Sequence, residues 1–549
     1  MKHFYFRPKL LECLTDYNAA QLGKDIAAGI TVGVLALPLA MAFAIASGAS
    51  PSAGIWTAIV AGFLISLFGG SRVQIGGPTG AFIPIVYGII ASQGYGGLLV
   101  ATFLSGILLL LMGISRLGQL IRFIPIAVVL GFTNGIAVVI FLAQVKDFLG
   151  LKIEKLPAEF FEKMQVLIAH LPTFDSTTLL LSSFSLAFLA VYPWATRRIY
   201  FLRFLKNIPA PLLILVIGTL LSAIFHLPVE TIGSRFGGIP QEFPAFGLPS
   251  IALSNLGALI SPAITLALLG SIESLLSARV ADGQIEDKHD PNQELIAQGL
   301  ANIAAPFFGG FAATGAIART TTNVKAGGRT PISGMVHAVV LLLIVLVLAP
   351  LADFVPLATL SAIVMMTAIN MGLWRELSRL KRFPYAYRII LWSTFLLTVL
   401  FDLTIAVELG MVLACLYFIY SSSKLTHFET INLNGKLPKD LENRVAANSL
   451  YGSLFFGATG TLEDSLTHLP DVLILDLEHL VQIDTSGLEA LRGLNRRLTA
   501  RRKTLILCNM HGQPRLFLRR SGFIAQLGAA NASHDLNAAL ARAEFLLKT

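Results

Sequence analysis

Along most of this chain apolar residues do not alternate with polar ones but run on. From about position 26 to position 420 they form a nearly unbroken series of stretches of roughly 20 residues, the length a tilted helix needs to cross a ~30 Å hydrocarbon core. The pattern predicts about fourteen helical segments, two of them of half length. Their cores lie near 26–47, 53–69, 78–91, 97–115, 120–143, 178–194, 209–226, 257–280, 293–308, 316–326, 332–351, 357–371, 387–402 and 404–422. Beyond Lys424 the period changes. Positions 449–456, 472–477 and 504–508 read as strands, and 486–500, 513–520 and 535–547 as amphipathic helices. The chain therefore divides into an N-terminal segment (1–24), a transmembrane domain (25–423) and a linker with a small α/β domain (424–549), which is large enough for its own core.

Two apolar segments are broken by glycine at matching places. One is Gly76-Gly77-Pro78-Thr79-Gly80-Ala81-Phe82 and the other runs from Gly309 through Thr314-Gly315-Ala316-Ile317, with a Phe-Gly-Gly before the first (Phe68 to Gly70) and at the start of the second (Phe308 to Gly310). Interrupted spans in corresponding positions of two repeats predict seven segments repeated inverted as seven. They also predict an anion site at the midplane, where half-helix starts aim free N–H groups at a ligand. Pro78, Thr79, Gly80 and Ala81 would open one half-helix, and Ile317, Ala318, Arg319 and Thr320 would flank the other. Glycine lets backbone approach the ligand closely, and the Thr79 hydroxyl is a donor. Isolated glycines such as Gly106 and Gly113 read instead as helix-packing positions.

Composition sharpens this picture. With 55% hydrophobic residues, 13% charged and a mean hydropathy of +0.72, the chain is not an ordinary soluble domain. The net charge of +9 does not imply nucleic acid, because basic residues such as Arg72, Arg116, Arg197, Arg198 and Arg379 fall in short loops on the side of the leader. That side is expected to be the cytoplasm of a bacterial inner membrane, with both termini there. The leader is not expected to be cleaved, since the apolar run after it is too long for a signal segment. Cys13, Cys415 and Cys508 have no metal-binding or disulfide spacing and read as packing thiols. No metal or cofactor is expected. His170, His226 and His289 read as loop residues without a nucleophile, and no phosphate loop is present, so the chain is not expected to be an enzyme.

Glu273 lies in an apolar run, where an unpaired carboxylate is expensive, and Ser277 shares its helix face. Three readings are open: a proton-coupling carboxylate, a sodium site built with Ser277, or a structural carboxylate paired with Asn302 or Thr320. Arg319 has two readings, one offsetting substrate charge and the other marking a cytoplasmic helix end alongside Lys325 and Arg329.

Several motifs together resemble the SulP family, the sulfate-permease-type anion transporters ending in a STAS domain. They are Pro38-Leu39-Ala40-Met41-Ala42-Phe43-Ala44, Gly77-Pro78-Thr79-Gly80, Ile317-Ala318-Arg319-Thr320-Thr321-Thr322-Asn323, Ala326-Gly327-Gly328-Arg329-Thr330-Pro331 and Ile483-Asp484-Thr485-Ser486-Gly487-Leu488. The resemblance implies a uracil-permease-like fold with a core domain moving against a gate domain, a cytoplasmic STAS domain and a homodimer. The Glu273–Ser277 pair departs from the Asp and Thr of sodium-driven bicarbonate members. With the stretches 269–276 and 302–310 it looks like the proton-driven C4-dicarboxylate branch, so succinate or fumarate is the first expectation, with sulfate and bicarbonate open. The first-helix motif lacks the glutamine typical of eukaryotic sulfate members, which weakens sulfate. A reading of another class is a membrane sensor or scaffold whose tail binds a cytosolic protein. Ser486 matches a phosphorylated serine of anti-sigma antagonists, but its spacing to Glu489 favours a capping box.

Overall fold

The computed structural model describes residues 6–119, 125–153, 156–157, 159–199, 208–238, 244, 246–247, 256–401, 403–438, 441–460 and 470–548. The chain forms two compact units, Met1–Met411 and Val412–Thr549.

Some helices of the first unit begin where a side chain satisfies a free N–H group. Asn18 accepts from Gln21 at 2.9 Å to open α1 (Ala19–Ala46), and Ser50 caps α2 (Pro51–Phe68), whose Pro51 sits where a missing N–H costs nothing. A two-residue strand, β1 (Gly76–Gly77), precedes α3 (Ile83–Ile114). Within α3 the predicted cores 78–91 and 97–115 meet at Gly94, which takes a φ of 72° that glycine alone adopts without strain. The chain continues through α4 (Ile126–Ala143), α5 (Phe160–His170), α6 (Ser176–Arg198), α7 (Ala210–Ile224), α8 (Leu256–Ile285) and α9 (Pro291–Ala304). A second short strand, β2 (Thr314–Gly315), leads into α10 (Ile317–Lys325), then α11 (Ile332–Ala352), α12 (Leu357–Met371), α13 (Tyr385–Leu400) and α14 (Leu403–Ser423).

Among the described residues six helices are long and apolar enough to cross a bilayer, and five more are apolar but shorter. The expected spans 293–308 and 316–326 correspond to α9 and α10, which are polar and carry Glu294, Gln298, Asn302 and Arg319. The first five positions of the predicted core 120–143 lie outside the described residues, and its helix starts at Ile126 after Pro125. Helix α5 was not expected; it is a short amphipathic helix between spans. His170 closes this helix rather than lying in a loop, its Nδ1 2.9 Å from the Val166 carbonyl, and His289 is held by Asp282 at 2.6 Å.

Two bundles result. In one, α9 packs on α3 and α2, α11 on α1 and α2, and α8 on α3 and α10; in the other, α4 packs on α13 and α12, and α12 on α6. Gly106 and Gly113 have the packing role expected of them. A Cβ on Gly106 would lie 2.6 Å from the Ile303 nitrogen and one on Gly113 2.6 Å from Ile296 Cγ1, so these glycines let α3 and α9 touch backbone to backbone.

The second unit holds a five-stranded sheet. β3 (His427–Thr430) pairs antiparallel with β4 (Val445–Leu454), and β4 pairs in parallel with both β5 (Val472–Asp476) and β6 (Leu480–Ile483). After α15 (Thr485–Ala500), β7 (Thr504–Cys508) joins β5 in parallel, followed by α16 (Gly512–Arg520) and α17 (Leu536–Lys548). Leucines of α15 and Leu518 of α16 cover one face of the sheet, and Ala539, Leu540 and Ala543 of α17 contribute to a second core. The expected capping box at Ser486 is not formed. Asp484 is the capping residue, accepting from the Gly487 N–H at 2.8 Å, because its short carboxylate on extended backbone reaches that donor while Ser486 is already inside the helix.

Candidate anion site

The two glycine-broken segments cross each other. β1 and β2 pair antiparallel, Gly76 opposite Gly315 and Gly77 opposite Thr314, and the Ala316 N–H donates to the Ile75 carbonyl at 2.9 Å. Only glycine fits this crossing. Gly77 has a φ of 145° and a Cβ there would sit 2.5 Å from Arg319 Nη1, while one on Gly315 would meet Gln74 Nε2 at 2.0 Å. Buried side chains hold the second segment: Asn302 exchanges two 2.8 Å hydrogen bonds with Ala313, and the Thr314 hydroxyl donates to the Gly270 carbonyl at 2.7 Å.

From the crossing, Gly80-Ala81-Phe82 makes a tight turn into α3, and Ile317 starts α10. Neither Thr79 nor Ala316, the residues flanking these starts, supplies a side-chain cap, so first-turn N–H groups stay available to a ligand. Pro78, Thr79, Gly80 and Ala81 are buried, whereas Ile317 and Ala318 are exposed. A Cβ on Gly80 would make only near-ordinary contacts, 3.4 Å from Ile140 Cδ1 and 3.7 Å from Phe43 Cε1, so packing alone does not demand glycine there.

Glu273 on α8 ties to the first segment directly. The Thr79 hydroxyl donates to its Oε2 at 2.8 Å, and the carboxylate is only partly buried. Asn302 and Thr320, the partners expected if Glu273 were structural, are engaged elsewhere: Thr320 Oγ1 accepts from the Ile75 N–H at 3.1 Å and from the Ser277 hydroxyl at 3.2 Å. Ser277 thus connects α8 to α10, one turn from Glu273. Arg319 is buried at 1% exposure, donates through Nη2 to the Pro78 carbonyl, and among the described residues has no partner for Nη1. It lies in the first turn of α10, at the other end of that helix from Lys325, with its guanidinium at the Pro78 carbonyl of the crossing.

Sequence reasoning missed two buried groups near this centre. Glu294 on α9 accepts from the Gly70 and Ser71 N–H groups (2.9 and 3.2 Å), Gln74 and Gln298 (both 2.9 Å) and Ser274 (3.3 Å), which anchors the start of the first broken segment. His337 on α11 is fully buried, and among the described residues neither ring nitrogen has a hydrogen-bond partner. A carboxylate in the predicted span 293–308 and a histidine in 332–351 were the available signals.

Two broken segments thus cross beside the starts of α3 and α10 in a helical unit with membrane-crossing spans, and a small α/β domain follows in the chain. The chain belongs to the sulfate permease family, whose model matches residues 22–393, and a STAS domain matches 437–536. It is 42% identical to YvdB of Bacillus subtilis (strain 168), provisionally named a sulfate transporter, over 93% of this chain and 96% of that one. It is 34% identical to the bicarbonate transporter BicA of Picosynechococcus sp. (strain ATCC 27264 / PCC 7002 / PR-6), over 73% and 71%. The solved transmembrane domain of a cyanobacterial BicA superposes with a TM-score of 0.64 at 30% identity, covering 71% of this chain and 98% of that one. The murine Slc26a9 anion transporter superposes with a TM-score of 0.86 at 18% identity, covering 98% and 94%, which shows a shared fold.

Proposed function

We propose that this anion transporter of the sulfate permease family carries a small dianion, a C4-dicarboxylate or sulfate, together with a proton, by alternating access between the two bundles. The observation that carries this reading is the 2.8 Å hydrogen bond from Thr79 to Glu273. An ionised Glu273 repels an anion at the neighbouring half-helix starts and holds the Thr79 hydroxyl; a protonated Glu273 does neither as strongly, so proton and anion bind together. Moving a proton with a dianion also lowers the negative charge carried against an inside-negative potential, about 2.3 kcal/mol per elementary charge per 100 mV. Arg319, anchored on the Pro78 carbonyl, supplies fixed positive charge beside Pro78, Thr79, Gly80 and Ala81 on one side and Ile317, Ala318 and Thr320 on the other. The similarity to YvdB supports sulfate, and the Glu273–Ser277 pair supports a dicarboxylate.

Sodium-coupled bicarbonate transport is the second reading, favoured by the similarity to BicA and by Ser277 and Thr320 meeting one turn from Glu273. A homodimer in the bacterial inner membrane, with both termini cytoplasmic and the STAS domain regulating through Ser486 or a cytosolic partner, completes the proposal. Uptake of labelled succinate, sulfate and bicarbonate into proteoliposomes, under a proton gradient and then a sodium gradient, separates these readings. A chain that moves none of them under either gradient would leave the sensor reading in place.

A further inference from the structure

A cavity of about 1520 Å³ opens in the first unit. It reaches Ile83 and Pro84, in the first turn of α3 after the broken segment, and extends to α5. Thr79, Glu273 and Arg319 are not among the described residues on its wall. Lys163 of α5 is. Its side chain is removed from water to 6% exposure, and among the described residues its ammonium has no ion pair or hydrogen bond. Burial pushes its pKa down. An ammonium so placed is costly unless an anion or water meets it.

The other charges on the wall do not neutralise it. Asp147 and Glu230 are both taken by Arg235, the first at 2.9 Å, and Asp175 caps α6 through the Thr178 N–H at 2.7 Å. Glu159 is exposed at the rim; Lys146 and Lys152 add positive charge. Leu167 of α5 forms a small core with Leu151, Ile153 and Leu156, and the Tyr87 hydroxyl fastens α3 to it through the Leu156 carbonyl.

We propose that the vestibule contains a waiting site for a small anion, sulfate or a short dicarboxylate, in which Lys163 is the charged group that draws the ligand toward the first turn of α3. The assignment rests on the transport reading for its purpose but not for its test. In purified full-length protein, sulfate raises the unfolding temperature by binding the folded state. Thr79→Val, altered at the inner site, keeps part of that rise, and adding Lys163→Gln removes what is left. In proteoliposomes Lys163→Gln raises KM for external sulfate about tenfold, the expected scale for one charge-assisted contact, with the maximal rate and unfolding temperature little changed, and Lys163→Arg restores KM. Equal sulfate stabilisation of Thr79→Val with and without Lys163→Gln would overturn the site. So would a native-like KM in Lys163→Gln. A native chain that transports no sulfate yet shows the stabilisation pattern would overturn the transport reading and leave the site standing.

Discussion

The bond between Thr79 and Glu273 joins positions 194 residues apart, and no spacing rule reaches that far. Both residues were legible singly, Glu273 because a carboxylate stands out in an apolar run and Thr79 because it sits between the glycines of a broken span. Their partnership was not, since it depends on how α8 lies against the crossing. The same limit explains Asn302, visible only as a candidate partner for Glu273, whose real work is to hold Ala313. Thr79→Val removes the donor while keeping the shape, and is expected to lower proton-driven uptake about tenfold or more, the scale of one charge-assisted hydrogen bond. Thr79→Ser, which keeps the hydroxyl, is expected to stay near native. Initial uptake rates of the two variants against native protein check this.

Among the elements, the long apolar spans followed directly from hydropathy, whereas α5 did not, because its eleven residues of mixed polarity are too short and too polar to read as a span. Close contact of α3 with α9 depends on glycine at the points of contact. Gly106→Ala forces backbone apart and is expected to cost ~1–3 kcal/mol. Gly96→Ala, with nothing within 4 Å of the new methyl, is expected to cost almost nothing. Thermal unfolding of both in detergent measures the difference. In the tail, sequence placed the start of α15 within a residue but chose the wrong cap, because Asp484 and Ser486 both suit the position by type. Asp484→Ala is expected to destabilise the separately expressed tail by ~1 kcal/mol and Ser486→Ala by much less, as read from urea unfolding.

For the whole molecule, the fold was legible because a bilayer leaves few ways to satisfy backbone polar groups, while the vestibule was not, since its wall draws on helices from across the first unit. Orientation needs a better reporter than the native tail thiol: Cys508 is fully buried, and burial pushes its pKa up to about 12, so it will resist labelling on either side. Ala541→Cys places a thiol at an exposed position of α17 and is expected to react with an impermeant maleimide only after the cells are permeabilised. The most direct test of proton-coupled transport is uptake of labelled succinate and sulfate by reconstituted native protein and Glu273→Gln, with an imposed proton gradient and no sodium. Native protein is expected to concentrate one of these anions. Glu273→Gln, locked in the equivalent of the protonated state, is expected to lose that accumulation while still exchanging internal for external anion. Accumulation by Glu273→Gln at the native level would contradict the coupling role and send the search to another ionisable group.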